Sequence, residues 1–388
     1  MSAIAPPTWM ERPPEGWREA PFDDLLSVEQ VERRPSIPRS KFQRSGRFPV
    51  VDQGQSLIAG FTDEDSAVHR EDLPIILFGD HTRAVKYVDF PFAAGADGTK
   101  LLRPRSPDLD PRFLYFALLA IDLPSRGYNR HFGLLRERVF EIPIGAPEQR
   151  TIAGVLSKLQ AAVEVQDRIV GALKDLKAAT MAKLFREGLR GERLKQTEIG
   201  EIPESWEIET VGSCITNDLI EGHPTIPRSA FRRHGPYPIV DQGQGTIAGF
   251  TETADAVHSG DLPLILFGDH TRTLKFIDFP FAAGADGTKL FHGNPERIDT
   301  EFLYHVLSRL QLPSRGYNRH FGILREKRIA YPPDRSEQAE LAALARALDD
   351  RVGRAEAAVE RRRRLFETML GSLVSGRLRL SANTTDEG

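Results

Sequence analysis

Along this chain the hydrophobic positions change period three times. From residue 14 to 146 the apolar residues come in short runs closed by Gly, Pro or Asp. "FPVVDQG", "LPIILFG" and "AVKYVDFPF" predict strands, and "PRFLYFALLAI" predicts a short helix packed on them. From Pro147 the pattern becomes helical, with no internal proline through "PEQRTIAGVLSKLQAAVEVQDRIVGALKDLKAATMAKLF". Ile152, Leu156, Leu159, Val163, Gln166, Val170, Leu173, Lys177, Thr180 and Leu184 alternate spacings of four and three, the a/d seam of a coiled coil. Strand-like runs return over 203–335, and a second seam follows at Leu341, Ala345, Leu348, Val352, Ala355, Val359, Arg362, Phe366, Met369 and Leu373.

The two halves are one unit written twice. A constant offset of 189 residues carries "DLPIILFGDHTR" (72–83) onto "DLPLILFGDHTR" (261–272), Trp17 onto Trp206, and Glu148-Gln149 onto Glu337-Gln338. Between Pro38 and Arg136 about two-thirds of positions match their partners without a gap. Solenoid repeats run to ~20–50 residues, so a period this long marks a duplicated domain module. The expected layout is a globular domain over 1–146, a helix over 147–189, and a linker over 190–202. A second globular domain then spans 203–335 and a second helix 336–380, with a flexible tail at 381–388. The fold class is α+β: two similar globular domains separated by two long helices. Each helix would run about 40 residues, or roughly 60 Å. Two apolar stripes in one chain most simply bury against each other as an antiparallel coiled coil, which confers pseudo-twofold symmetry; the alternative is that a partner's helices cover both stripes.

Composition narrows the class. No apolar run approaches the ~20 residues of a membrane helix, and "MSAIAPPTWMERPPEGW" lacks a basic region followed by an apolar stretch, so a cytoplasmic protein is expected. Cys214 is the only cysteine, which rules out an intramolecular disulfide and a multi-cysteine zinc site. The net charge is only −3, but the basic residues are clustered: "SRGYNRHFGLLRER" (125–138), "SRGYNRHFGILREKR" (314–328) and "ERRRRLFE" (360–367).

Two strings imitate active sites. Asp89-Phe90-Pro91-Phe92 lacks the first proline of the Asn/Asp-Pro-Pro-aromatic loop of amino-methyltransferases, and no Gly-rich strand-turn-helix accompanies it. "GADGTK" (95–100) reads Gly-Thr-Lys where a phosphate loop needs Gly-Lys-Thr/Ser. His69 and His81, with their twins His258 and His270, show no metal-ligand spacing with nearby carboxylates or cysteines. No catalytic residue, metal site or cofactor of the chain's own is expected.

What the loop ends do offer is hydrogen-bonding chemistry suited to nucleic acid. Gln53 and Gln55, with their twins Gln242 and Gln244, carry the amide that pairs bidentately with adenine. His81, Thr82 and Arg83 close an apolar strand, as do His270, Thr271 and Arg272; an arginine there suits guanine or phosphate, and a threonine a thymine methyl. Arg126, Tyr128, Asn129, Arg130 and His131, repeated as Arg315, Tyr317, Asn318, Arg319 and His320, interleave cations, aromatics and an amide. Lys100 and Lys289 complete the DNA-binding candidates.

"ILFGDHTR", "DFPFAAGADGTKLL", "YNRHFGLLRE", "PEQRTIA" and "IGEIPESWEI", in this order and spanning essentially the whole chain, resemble the specificity subunits of type I restriction-modification systems. The resemblance implies a non-catalytic DNA-reading subunit whose two target-recognition domains each read half of a split site. Its helices would serve as spacer and docking platform. The implied partners are double-stranded DNA, methyltransferase subunits (typically two), and a restriction subunit that translocates and cuts. S-adenosylmethionine would be bound by the methyltransferase partner. In that family the two recognition domains generally differ, whereas here they are close copies. The expectation is therefore an interrupted palindrome with like half-sites, tempered by the divergence of 102–122 from 291–311, including Arg103 against His292 and Arg105 against Asn294. The competing reading is a duplicated-domain coiled-coil scaffold that binds proteins rather than DNA.

Overall fold

The computed structural model describes residues 13–28, 34–71, 73–96, 98–124, 130–216, 224–260, 262–285, 287–313 and 319–380. The chain divides into two compact units, Met1–Asp167 with Ala357–Gly388, and Arg168–Glu356. Each unit therefore takes one globular module and half of each long helix.

In the first unit the run read as "LPIILFG" is the strand Ile75–Gly79, with every residue buried. It pairs antiparallel with Val85–Val88 on one side and Thr99–Pro104 on the other, and the latter pairs with Leu26–Ser27. Alternation sends Ile76 and Phe78 into one cluster with the helix Pro111–Leu119, and Ile75 and Leu77 into another with Val51, Val88 and Phe92. Covering both faces explains why this strand is apolar without a period. A second sheet runs Gly60–Thr62, Phe48–Val51, Phe92–Ala94, Val68–His69, with its central pair parallel. The string "AVKYVDFPF" thus supplies two strands to two different sheets, because Asp89–Pro91 turns the chain between them. A ribbon of Trp17–Pro21 and Val139–Pro143 closes the module. The second unit repeats these pairings, for example Leu264–Gly268 between Leu274–Ile277 and Thr288–Gly293.

The long helices span Ala146–Glu187 and Arg335–Val374. Every seam position is buried or partly buried except Arg362, which is exposed. Within each unit the two helix halves run antiparallel. In the first, Asp167 pairs with Arg363 at 2.9 Å, and Ile152 and Leu156 share a core with Leu370 and Leu373. In the second, Lys174 pairs with Glu356 at 2.7 Å and Lys177 pairs with Asp349. Two boundaries differ from the sequence reading. Residues expected to be a linker contain the hairpin Leu194–Thr197/Gly200–Pro203, held from one side by Lys195, whose Nζ donates to the carbonyls of Glu204 and Trp206 at 2.7 Å each. The second helix stops at Val374, short of 380.

Module and helix are joined by a buried amide. Gln149 accepts from the Asp110 backbone N–H at 2.8 Å and donates to the Pro143 carbonyl at 2.9 Å. Asp110 in turn caps the helix Pro111–Leu119, accepting from the Phe113 N–H at 2.8 Å. Gln338 does the same for Asp299 N–H and the carbonyls of Pro332 and Arg297, at 2.7, 2.8 and 2.9 Å. Gln149→Ala strands two backbone groups and is expected to cost about 2–4 kcal/mol, measurable as a lower urea midpoint of the full chain.

The two units differ where the short helix meets the long ones. Phe116 packs edge-on against Phe366 in the first, with centroids 6.2 Å apart. In the second, the position of Phe116 is His305, with Asp349 at 3.9 Å and Glu301 at 4.0 Å, Asp349 pairing with Lys177 and Glu301 with Arg346. Burial, against the pull of Asp349, pushes the His305 imidazole down to about 4. Its folded value lies below its unfolded one, so the unfolded chain binds the proton first as pH falls. Stability of the second unit is then expected to drop by a few kcal/mol between about pH 6.5 and 4. His305→Phe should flatten that part of the profile in denaturation curves taken across this pH range.

Candidate nucleic-acid interface

Where the strand Ile75–Gly79 ends, three loops converge. Gly79 N–H donates to the Ala84 carbonyl and Arg83 N–H to the Gly79 carbonyl, both at 2.8 Å, closing a turn in which Arg83 takes a φ of 61°. Thr82 Oγ1 donates to the Gln53 carbonyl at 2.5 Å, and the His81 N–H donates to Gln53 Oε1 at 3.1 Å, tying the turn to the loop 52–56. The Asp80 N–H donates to the Gly98 carbonyl at 2.8 Å, tying it to the loop 95–99.

The loops approach too closely for side chains. A Cβ on Gly79 would lie 2.3 Å from Thr82 Oγ1, and one on Gly95 would lie 2.6 Å from Asp52 Cβ. Gly98 combines a φ of +62° with a Cβ position 2.7 Å from the His81 ring, so only glycine fits there. The glycines of "GADG" therefore serve close approach, and the second unit has the same geometry at Gly268, Gly284 and Gly287.

Asp80 is buried and anchors a remote segment. Its Oδ1 accepts from the backbone N–H groups of His131 at 2.9 Å and Phe132 at 2.8 Å, at the start of the helix Phe132–Arg136. His131 Nδ1 lies 3.0 Å from the Asp80 carbonyl. Asp269 repeats the arrangement with His320 and Phe321. The turn and the basic string thus meet across 51 residues of sequence. Phe132 also packs on Phe78 at 6.1 Å and lies 5.7 Å from the ammonium of Lys100.

The structure sorts the sequence candidates by what remains available. Gln55, Gln244, Arg130 and Arg319 are exposed, and so are Thr271, Arg83 and Arg272. His81, Thr82, His270, Lys100 and Lys289 are partly buried. Gln53 and Gln242 each have the amide oxygen engaged, Gln242 Oε1 accepting from the His270 N–H at 3.2 Å. One guanidinium nitrogen of Arg83 donates to the Leu123 carbonyl at 2.6 Å, and one of Arg272 to the Leu312 carbonyl at 2.9 Å. Both arginines therefore hold the chain just ahead of the basic string. His131 and His320 are 1% exposed, so their rings belong to the fold rather than to a surface. Arg126, Tyr128, Asn129, Arg315, Tyr317 and Asn318 lie outside the described residues.

Two kinds of residue were missed. Arg39, exposed on the turn Arg39–Lys41, lines a cleft of about 220 Å³ with Phe42, Asp52, Gln53, Gly54 and Thr82. Lys86 and Lys275 sit under the glutamine loops, where burial holds each ammonium below its ordinary range against the pull of Asp52 or Asp241. The available signal was a lysine at an inward position of an alternating strand, Lys86 sharing the buried face with Val88. Among the described residues no three His, Cys, Asp or Glu side chains are grouped to hold a metal ion, and no helix is long and apolar enough to cross a membrane. Cys214 is buried, with its thiol pushed up to about 11 by burial.

No family model matches the chain. A Methanocaldococcus jannaschii protein assigned as the specificity subunit of the type I restriction enzyme MjaX is 22% identical over 406 residues, covering 95% of each chain. The MjaVIII specificity subunit of the same organism is 23% identical over 330 residues, covering 76% of this chain and 75% of its own. Among solved structures, the type I restriction-modification S subunit from M. genitalium superposes with a TM-score of 0.66 at 17% identity, covering 92% of this chain and 96% of that one. A chain from a type I system complex superposes with a TM-score of 0.50 at 14% identity, covering 95% of this chain and 100% of that one. Along most of its length this chain is a homologue of type I restriction enzyme specificity subunits, and it is similar in fold to the solved ones.

Proposed function

We propose that this chain is the non-catalytic DNA-reading subunit of a type I restriction-modification complex. Its two modules read the halves of an interrupted palindrome. The long helices act as spacer and docking platform for adenine-N6 methyltransferase subunits, two in number, that bring S-adenosylmethionine, and for a restriction subunit. Half-sites one turn of B-DNA apart lie ~34–36 Å from each other, within the reach of helices of roughly 60 Å.

The observation that carries the reading is that the same three-loop platform ends both modules. Val51–Gln55, Leu77–Arg83, Asp89–Leu101 and Pro124–Gly133 are identical to their partners 189 residues on. The divergent stretch lies elsewhere. The strand Thr99–Pro104 leaves the turn at Thr99, opposite Gly79, so Arg103 sits four residues along it, about 13 Å away. The following helix buries Phe113 to Leu118 in the core. In the second module His292 Nδ1 lies 2.9 Å from the Pro263 carbonyl, within its own fold. The differences fall in a strand end, the exposed loop after it and a helix that buries its apolar side, which supports a like reading surface at the three-loop platform. Flanking residues do change, Lys41 to Ala230 and Leu57 to Thr246 among them.

A genome-wide adenine-methylation motif, mapped with and without this chain, is expected to be an interrupted palindrome that disappears when the chain is removed. Two unrelated half-sequences would overturn the like-half-site reading. Binding should weaken steeply with salt, as phosphate neutralisation requires. A flat salt response together with no methylation motif would favour the protein-binding scaffold.

A further inference from the structure

Each glutamine loop closes around a buried ammonium. Lys86 Nζ donates to the carbonyls of Asp52 at 2.6 Å and Ser56 at 2.5 Å, with the Asp52 carboxylate 3.8 Å away. Lys275 Nζ donates to the carbonyls of Asp241 at 2.7 Å and Gly245 at 2.6 Å, with the Asp241 carboxylate at 4.0 Å. The side chains are 6% and 9% exposed. Asp52 Oδ1 accepts from the Gly54 N–H at 2.8 Å, and Asp241 Oδ1 from the Gly243 N–H at the same distance, so the loop is fixed from both ends.

The two short bonds of this clamp go to backbone carbonyls. Position 56 is Ser in one module and its partner 245 is Gly in the other, yet the ammonium finds the same carbonyl. A polyamide loop whose two end carbonyls point down at one cation has a set width. Its intervening side chains are then held in one arrangement. Burying a lysine is costly unless its donors are met, and here two of three are met by the loop itself. Removing the ammonium strands two carbonyls and frees the loop ends at once.

Within the loop the two glutamines have different fates. Gln53 Oε1 is committed to the His81 N–H at 3.1 Å, and its Nε2 lies 2.9 Å from where a Gly98 Cβ would stand. Bidentate pairing with adenine needs an amide's oxygen and nitrogen together. Gln53 already spends its amide oxygen within the platform. Gln55 is exposed. Gln244 is also exposed, and its Nε2 makes only a 3.3 Å surface bond to Thr273 Oγ1, a residue replaced by Ala84 in the first module.

We propose that Lys86 and Lys275 are positioning residues for base reading: each sets the shape of its loop from beneath, so that Gln55 and Gln244 present their amides to a base edge while Gln53 and Gln242 brace the turn. The proposal rests on the DNA-reading function and adds which side chains carry specificity and what holds them.

The test uses the full chain assembled with its methyltransferase subunits and duplexes carrying the mapped methylation motif, each with one base changed in one half-site. Binding by fluorescence anisotropy gives the ratio of affinities for the matched and altered duplexes, with one further duplex carrying the same change in both half-sites. Gln55→Ala, an exposed substitution that leaves the fold intact, should cut that ratio by about tenfold at one position of the motif, the loss of one bidentate contact, because either half of a palindrome can meet the substituted module. Lys86→Met should cut it at the same position, while the duplex altered in both half-sites is still rejected through Gln244. Because Nζ faces carbonyls and not phosphates, the salt slope of Lys86→Met should match that of the parent chain.

An unchanged ratio for Gln55→Ala overturns the proposal, whether or not Lys86→Met folds. So does a Lys86→Met protein that melts earlier but discriminates as the parent does, since that marks a structural role only. Failure of the underlying function has another signature: the parent complex itself shows no preference among the duplexes.

Discussion

Everything polar at the end of each module depends on a strand with no solvent-facing side. Ile75–Gly79 and Leu264–Gly268 are covered by a helix layer on one face and a second sheet on the other, so neither strand can slide or tilt without opening two cores. The turn that follows inherits that rigidity. Loops ordinarily have room to move; these three are packed until a single methyl group would not fit at Gly79, Gly95 or Gly98. Hydrogen bonds to Gln53, Gly98 and Asp80 then fix their relative positions. A rigid platform of this kind suits a surface that discriminates among ligands differing by one polar group, because a misplaced partner cannot be met by adjustment.

Duplication makes the chain its own comparison. Positions that hold the platform are the same in both copies, and the ones that changed fall where change is cheap or where it was matched. The pairing of Phe116 with Phe366 and the cluster around His305 occupy equivalent places, one apolar and one charged, and both fill the space between a short helix and the long ones. Neither solution transfers by a single substitution, since Lys177, Asp349, Glu301 and Arg346 stand where the other copy has Phe366, Gln160, Arg112 and Ser157. Tyr115 with Gln160 on one side answers Tyr304 near Asp349 on the other.

Much of the architecture was legible in the residues. The seams of both long helices, the strands ending in "ILFG", and the short helix from Pro111 follow from local period and turn chemistry. The hairpin at 194–203 was not legible, because its strands are polar and are held by backbone pairing and by Lys195 rather than by an apolar face. Roles within the site were harder still. Gln53, Arg83 and His131 have the side chains of base or phosphate readers, and each has a polar group committed to a backbone partner elsewhere in the module. Composition cannot separate a side chain that faces a ligand from one that faces its own chain.

The sequence by itself determined the repeat, the alternation of globular and helical segments, and the identity of the loops that matter. Those are properties of spacing along the chain, and spacing is all that a period measures. Only the tertiary structure decided which polar group meets which. Asp80 reaches His131 across 51 residues, Lys86 reaches Asp52 across 34, and Arg83 reaches Leu123 across 40. Each of these bonds joins a side chain to a backbone group, and every residue offers much the same backbone. The partner therefore leaves no mark in the sequence, and only the packing of two sheets and a helix selects it.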